Sequence, residues 1–406
     1  MIRHLLRLVW NRKRQNLLVA VELLLSFAML FGLVFTAGAF YHNWRQPLGY
    51  DTNDLLTVQL RYPYSGPVRP DATDEDLAER ARAAETLQQV VAAVNGLPEV
   101  ERAATSWPSV FYTRGGWSTE LGDRFRTFTV GHMLSDETRD VLGITVVAGR
   151  WFSRDDDGAA LQPILINKRL ARELFGDMSP LNRELPPGED NLRPQRVIGI
   201  VEDFRHEGEL SFPGNVALFR LSSTAGAASA LPNALLVRTR PGTPAQFEER
   251  LARALEAAAR DWTFDIRSMD TRRQEAFQKT LAPIGIVAIL AIFVLLMVAL
   301  GLTGVVWQSV TTRVQEFGLR RAKGATAAAI QRQVITELFV LATAAVSIGA
   351  TIAVQFPPLA LLAPPRVKFL SVAASVTVIY LLTLLCAWYP SRLATRIQPA
   401  DALHYE

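Results

Sequence analysis

Four long apolar runs constrain this chain more than any other feature. The first is Leu17–Phe40, interrupted only by Glu22 near its start. The second lies in the uncharged stretch between Lys279 and Arg313, with a core at Leu281–Trp307. The third follows Glu337 and ends near Phe356, and the fourth is Phe369–Tyr389. A helix rises about 1.5 Å per residue, so roughly 20 apolar residues cross the hydrocarbon core of a bilayer. In that medium only a helix or a closed barrel satisfies its own backbone. The pattern therefore predicts four membrane helices, over 17–40, 281–307, 335–357 and 369–389.

The 406 residues carry a net charge of +4, and its distribution says more than its size. Residues 41–280 hold 29 Lys+Arg and 34 Asp+Glu, whereas the remainder holds 14 and 5. The basic excess therefore lies beside the apolar runs. This argues for a membrane and against a nucleic-acid partner, which would draw basic residues onto a soluble domain. Arg3, Arg7, Arg12, Lys13 and Arg14 precede the first run; Arg313, Arg320, Arg321, Lys323 and Arg332 separate the second from the third; Arg392 and Arg396 follow the fourth. With four spans all three clusters face one side, the cytoplasm by the positive-inside rule. Arg366 and Lys368, in the short opposite loop at 358–368, run against it. Cleavage after Ala37-Gly38-Ala39 is a rival reading of the first run, but signal-peptide cores are about 7–15 residues long. The expectation is a cytoplasmic N-terminal segment (1–16), an extracytoplasmic domain (41–280), a cytoplasmic loop (308–334) and a cytoplasmic tail (390–406).

The extracytoplasmic domain contains two β-α-β patterns. Leu55–Arg61 alternates like a strand. Thr73-Asp74-Glu75-Asp76 resembles a capping box, after which Leu77, Ala81, Ala84, Leu87, Val91 and Val94 recur at helical spacing until Gly96 and Pro98. Val100–Trp107 completes the unit. The second unit is strand Ala234–Thr239, helix Pro244–Ala259 and strand Thr263–Ser268. Two such units sharing one sheet make a ferredoxin-like arrangement. Between them, at about 126–221, lies a mainly β insert with short strands at Thr127–Val130, Ile144–Val147, Ile164–Ile166, Val197–Val201 and Val216–Arg220, and a turn at Pro186-Pro187-Gly188. Ser222–Ala230, rich in small residues, reads as a mobile loop. Asp270–Thr280 reads as a polar helix leading unbroken into the second span, a rigid stalk.

Catalytic signals are weak. No P-loop pattern is present, so ATP hydrolysis is not expected of this chain. The single cysteine, Cys386, lies in an apolar run and excludes an internal disulfide framework. The five histidines are scattered without zinc spacing. Asp155-Asp156-Asp157-Gly158 lacks the spaced ligands of a calcium loop and reads as a solvated turn. Glu202, Asp203, His206 and Glu207 follow a strand and read as a polar loop. Glu22 and Glu337 lie near the cytoplasmic ends of their spans, where pairing with water, headgroups or a nearby arginine fits better than a proton relay.

The segment after the second span is the most specific. A basic anchor on anionic lipid accounts for its arginines and lysine. It does not account for Glu316, Phe317, Gly318, Leu319 and Gly324 in the same short amphipathic element, which suits docking into a cleft of another protein. The run Glu316-Phe317-Gly318-Leu319-Arg320-Arg321-Ala322-Lys323-Gly324-Ala325 resembles the signature of MacB/FtsX-like ABC transporter permeases. The tail from Tyr389-Pro390-Ser391-Arg392 through Pro399-Ala400-Asp401-Ala402-Leu403-His404-Tyr405-Glu406 resembles that family's ending, and Ile166-Asn167-Lys168-Arg169-Leu170-Ala171 with Phe175-Gly176 matches more loosely.

The resemblance implies an α-helical membrane protein with four transmembrane helices and an α+β extracytoplasmic domain. That domain would have a ferredoxin-like porter part (about 50–125 and 222–270) and a mainly β, sabre-like insert. It implies a non-catalytic subunit in a bacterial inner membrane, paired with a second copy or a paralogue. Two copies of a separate ABC ATPase would carry the ATP and Mg, and a periplasmic adaptor would be a possible further partner; no cofactor is expected on this chain. Glu316, Phe317, Gly318, Leu319, Arg320, Arg321, Lys323 and Gly324 would form the ATPase-coupling element. Two alternatives stay open: a scaffold that activates a periplasmic hydrolase, and a peptide sensor acting with a kinase.

Overall fold

In the computed structural model, residues 13–63, 65, 66, 68, 71–109, 117–119, 129–185, 194–222, 230–356 and 363–395 are described. They fall into two compact units, one of residues 1–42 with 280–406, the other of 43–279.

The helical unit is built from α1 (Lys13–Trp44), most of α6 (Met269–Thr311), α7 (Val314–Ala322), α8 (Ala327–Gln355) and α9 (Pro365–Thr395). Four described helices are long and apolar enough to cross a membrane, over Leu17–Trp44, Met269–Thr311, Ala327–Gln355 and Pro365–Arg392. Small residues permit close packing: a Cβ on Gly349 of α8 would stand 2.4 Å from Phe27 of α1. Phe27, Phe31 and Phe35 stack along α1 at one-turn intervals, 6.2 and 5.8 Å apart. The hydroxyls of Ser26, Ser371, Ser375 and Thr383 donate to carbonyls four residues back, so these polar groups enter an apolar medium already paired.

The sheet unit carries β1 (Leu55–Arg61), α2 (Asp74–Asn95), β2 (Val100–Trp107), β3 (Trp117–Thr119), β4 (Thr129–Leu134), α3 (Thr138–Leu142), β5 (Val146–Gly149), β6 (Gln162–Asn167), α4 (Lys168–Phe175), β7 (Glu184–Leu185), β8 (Gln195–Val201), β9 (Val216–Arg220), β10 (Ala234–Thr239), α5 (Phe247–Ala258) and β11 (Thr263–Ser268). One sheet runs in the order β11-β1-β10-β2-β4-β9-β6-β8-β5, with β3 on β4 and β7 on β8. The first four strands are mutually antiparallel and form the ferredoxin-like half. Helices α2 and α5 cover it through Val90, Val94, Phe247, Leu251 and Leu255 on Val58, Leu60, Leu235 and Val237. Thr73 caps α2 as expected: its Oγ accepts from the Asp76 N–H at 3.2 Å, and Asp76 accepts from the Thr73 N–H at 2.8 Å.

The insert extends this sheet and does not build a second one. β4 joins β2 through only Ser106 and Trp107, then pairs in parallel with β9, while β6 runs antiparallel to β9 and parallel to β8. β5 starts at Val146, not Ile144, because the Ile144 N–H donates to the Arg139 carbonyl at the end of α3. The first insert strand is described from Thr129 onward, and its expected start at Thr127 lies outside the described residues, as do Pro186-Pro187-Gly188 and positions 223–229 of the expected mobile loop.

Residues 270–280 are helical and belong to α6, which is unbroken from Met269 to Thr311 and includes Pro283. The polar segment and the second apolar run are thus one element, as the sequence predicted.

Candidate functional site

The segment between the second and third spans folds as a helix held at both ends. Arg313 stands in the turn between α6 and α7. Its side chain is buried, and its Nη1 donates to both oxygens of Glu337 on α8, at 3.1 and 2.9 Å. Burying two charges is tolerable only when they pair this closely, since a lone buried charge costs about 3–5 kcal/mol. The shallow carboxylate of the third span is therefore a structural partner. Gln333, one turn earlier on α8, donates to Glu337 at 3.2 Å and accepts from Arg320 Nη1 at 2.6 Å. Arg320 also pairs with Glu316 at 2.6 Å, one turn back on α7.

This chain of contacts fixes which face of α7 points where. Phe317 and Gly318 are buried, Phe317 to 1% exposure, whereas Leu319 is 56% exposed and Lys323 is exposed. Glu316 and Arg320 are partly exposed between these faces. Gly318 thus sits inside the helix on its packed side. Gly324 is the turn glycine, with φ +94, where L side chains are strained. The Ala325 N–H reaches back to the Arg320 carbonyl at 3.0 Å, the six-to-one bond of a Schellman motif. Two residues later Thr326 caps α8, accepting from the Ala329 N–H at 3.3 Å. Gly324 ends one helix and Thr326 starts the next.

Of the expected coupling residues, then, Phe317 and Gly318 form the packed face, Glu316 and Arg320 the polar flank, Leu319 and Lys323 the open face, and Gly324 the turn. The Arg321 side chain lies outside the described residues. Gln333 was not singled out from the sequence. Its signal was available, four residues before Glu337 and so on the same helical face. In the tail motif, Ser391 is buried and donates to the Trp388 carbonyl at 3.0 Å, and the Arg392 guanidinium lies 4.7 Å from the Trp388 ring centre. Residues 396–406 lie outside the described part.

Other candidates take structural roles. Asp156 binds Arg150 at 2.8 Å and Asp157 binds Arg220 at 2.5 Å, so two carboxylates of the aspartate triplet are taken by arginines. The expected polar loop after β8 is a buried one instead: Phe204, Arg205 and His206 are all buried. Glu202 pairs with Lys168 at 2.5 Å, and Asp203 accepts from Asn167 at 3.0 Å and from the Arg169 N–H at 3.1 Å. The His206 ring lies 5.1 Å from that of His132, the planes inclined at 60°. Burial pushes both imidazoles down, His132 to about 3 and His206 to about 4, which keeps the pair neutral at pH 7. Asn167 of the looser sequence motif caps α4 through Leu170 and also accepts from the Val216 N–H of β9, both at 3.1 Å.

Residues 22–254 match the model of the MacB-like periplasmic core domain, and residues 288–399 match the FtsX-like permease C-terminal region. The chain is 27% identical over 301 residues to the macrolide export ATP-binding/permease protein MacB of Chromobacterium violaceum, covering 70% of this chain and 45% of that protein. It is 23% identical to the MacB protein of Bdellovibrio bacteriovorus, covering 77% and 48%. The chain thus spans about half the length of these curated relatives. Among solved structures, the periplasmic region of MacB from Actinobacillus actinomycetemcomitans matches at 18% identity with a TM-score of 0.36, covering 56% of this chain and 94% of that one.

Proposed function

The chain belongs to the permeases that combine a MacB-like periplasmic core domain with an FtsX-like C-terminal region, and on that premise we propose that α7 is the element through which a separate ABC ATPase drives it. The observation that carries this reading is the two-sided build of α7. One side is locked to α8 by the Arg313–Glu337 pair and the Arg320–Gln333 bond. The other side presents Leu319, 56% exposed, and the exposed Lys323. A short helix fixed on one side and apolar at its free face fits a cleft of a partner protein.

In this account ATP and Mg reside on two copies of the ATPase. The permease works as a pair, with a second copy or a paralogue. Both termini and α7 face the cytoplasm of a bacterial cell and the sheet unit lies outside the inner membrane in this reading, which the basic segments beside the spans support. Closure of the ATPases pushes α7, and α1 and α6, the spans continuous in chain with the sheet unit, carry the movement outward. The work done outside is export of a peptide, an antibiotic or a similar substrate, in keeping with the macrolide-export names of the relatives. Glu316→Gln and Arg320→Ala should leave membrane insertion intact and abolish stimulation of the co-purifying ATPase. Normal stimulation in both variants would refute the assignment.

A further inference from the structure

We infer that Arg205 and Glu209 are positioning residues that clamp the outer end of α1 and the first turns of α6 to one loop of the outer unit. The inference deepens the coupling account and rests on it for its functional meaning. The chain leaves α1 at Trp44 and crosses residues 45–54 before entering β1. A polar connection of that kind would ordinarily act as a hinge. Here its first half, residues 46–50, is held by the loop between β8 and β9.

Arg205 is 2% exposed. Its Nη1 donates to the Asn43 carbonyl at 2.6 Å and the Gln46 carbonyl at 3.1 Å. Its Nη2 donates to the carbonyls of Glu209 and, at 2.7 Å, Ser211. Its own N–H donates to the Leu48 carbonyl at 3.0 Å, and its carbonyl accepts from the Tyr50 hydroxyl at 3.2 Å. One buried guanidinium thus bridges the last turn of α1, the connection and its own loop. Asn43, itself buried, adds a bond to the Leu210 carbonyl at 3.4 Å. Gly49 lies so close that a Cβ there would stand 2.3 Å from the Asp203 carbonyl oxygen, and its φ is +85.

The same loop holds the other stalk. The Glu209 carboxylate, 8% exposed, forms an ion pair with Arg273 of α6 at 2.5 Å. The loop is in turn fixed to the insert: Asp203 and Gly214 are both bonded by the buried Asn167. Arginine is the residue suited to this post, because its planar fork with five donors reaches the four carbonyls of Asn43, Gln46, Glu209 and Ser211 at once, whereas a lysine offers three donors from a single nitrogen. Through the clamp, a displacement of either stalk moves the insert directly and is not absorbed at the exit of α1.

The test uses the full chain in lipid nanodiscs. Amide hydrogen exchange is followed in wild type, R205K, which keeps the charge, and E209Q. We expect exchange at residues 43–50 to quicken by about tenfold or more in R205K, as a local opening set free from the rest. In E209Q it should quicken at the first turns of α6, while β8 and β10 stay protected in both. Unchanged exchange at 43–50 in R205K would overturn the clamp. A second arm adds the co-purifying ATPase with ATP and vanadate. In wild type the nucleotide should alter exchange in the insert; in R205K that response should vanish at an unchanged ATPase rate, and an N43C/L210C disulfide in the same background should restore it. A response that survives in R205K would overturn the positioning role. If ATP has no effect in wild type, the coupling account fails while the first arm still decides the clamp.

Discussion

Two arginine-centred joints, one at each end of the proposed transmission path, differ in what surrounds them. At the α7 joint, Arg313 and Arg320 meet Glu337 and Gln333 across 24 and 13 residues of chain. The partners are consecutive helices, and one face of α7 stays open. At the outer joint, Arg205 meets Asn43 and Gln46 across 162 and 159 residues, and no face is left open around it. The first is a joint for receiving a partner. The second ties parts of one chain together. The difference also separates how they fail: a change on the open face of α7 should cost coupling and leave structure intact, whereas a change at the outer joint should cost structure and coupling together.

The largest effect should come from Arg205→Met. Leaving the carbonyls that this buried guanidinium serves without their partner should destabilise the outer unit by about 3–5 kcal/mol, read by denaturant-dependent hydrogen exchange. An effect near zero would refute the structural role given to the outer joint. Next is the Arg313–Glu337 pair. Either Arg313→Met or Glu337→Met alone should cost about 3–5 kcal/mol of local stability around α7, whereas the double substitution should recover most of the loss, because apolar replacement of both partners of a buried pair is near neutral. A double-mutant cycle with no coupling would show the pair to be incidental.

The third prediction concerns pH. His132 and His206 are held neutral in the folded outer unit, down to about 3 and about 4, from an ordinary value near 6.5. In the unfolded chain they take up protons as the pH falls through about 6.5, and the folded form does not follow. The outer unit therefore keeps its full stability above about pH 6.5 and should lose about 1.4 kcal/mol per pH unit for each histidine between there and about pH 4. Exchange-derived stabilities from pH 7.5 to 5 should show this slope, and His206→Gln should reduce it by about half. A flat profile would contradict the buried, neutral pair. The smallest effects belong to the turn after α7: Thr326→Ala should cost about 1 kcal/mol through the lost cap, and Gly324→Ala about 1 kcal/mol through strain at φ +94.

The same contrast explains what could be read in advance. β1, β2, β9, β10 and β11 fall where alternation and flanking turn residues put them, and the start of α2 follows from Thr73 and Asp76. Signals of that kind act within a few residues. The pairing of Glu337 with an arginine was legible because two charges at the mouths of adjacent spans have few other partners. The outer joint was not. Glu202 to Glu209 are individually ordinary loop residues, and Arg205 differs from any exposed arginine only through carbonyls over 150 residues earlier in the chain. The junction of the two sheet halves was hidden for the same reason, since β2 and β4 meet at just two residue pairs.

The central claim, that the open face of α7 seats on an ATPase, can be tested by placing a photo-crosslinking residue at position 319 in the full-length protein and irradiating intact membranes with and without ATP and vanadate. The account predicts a nucleotide-sensitive adduct with an ATP-binding subunit from position 319, and none from a label at Ile352, an exposed apolar position in the last turn of α8, at the opposite end of that helix from α7. Adducts only with lipid, at position 319 as at 352, would contradict it.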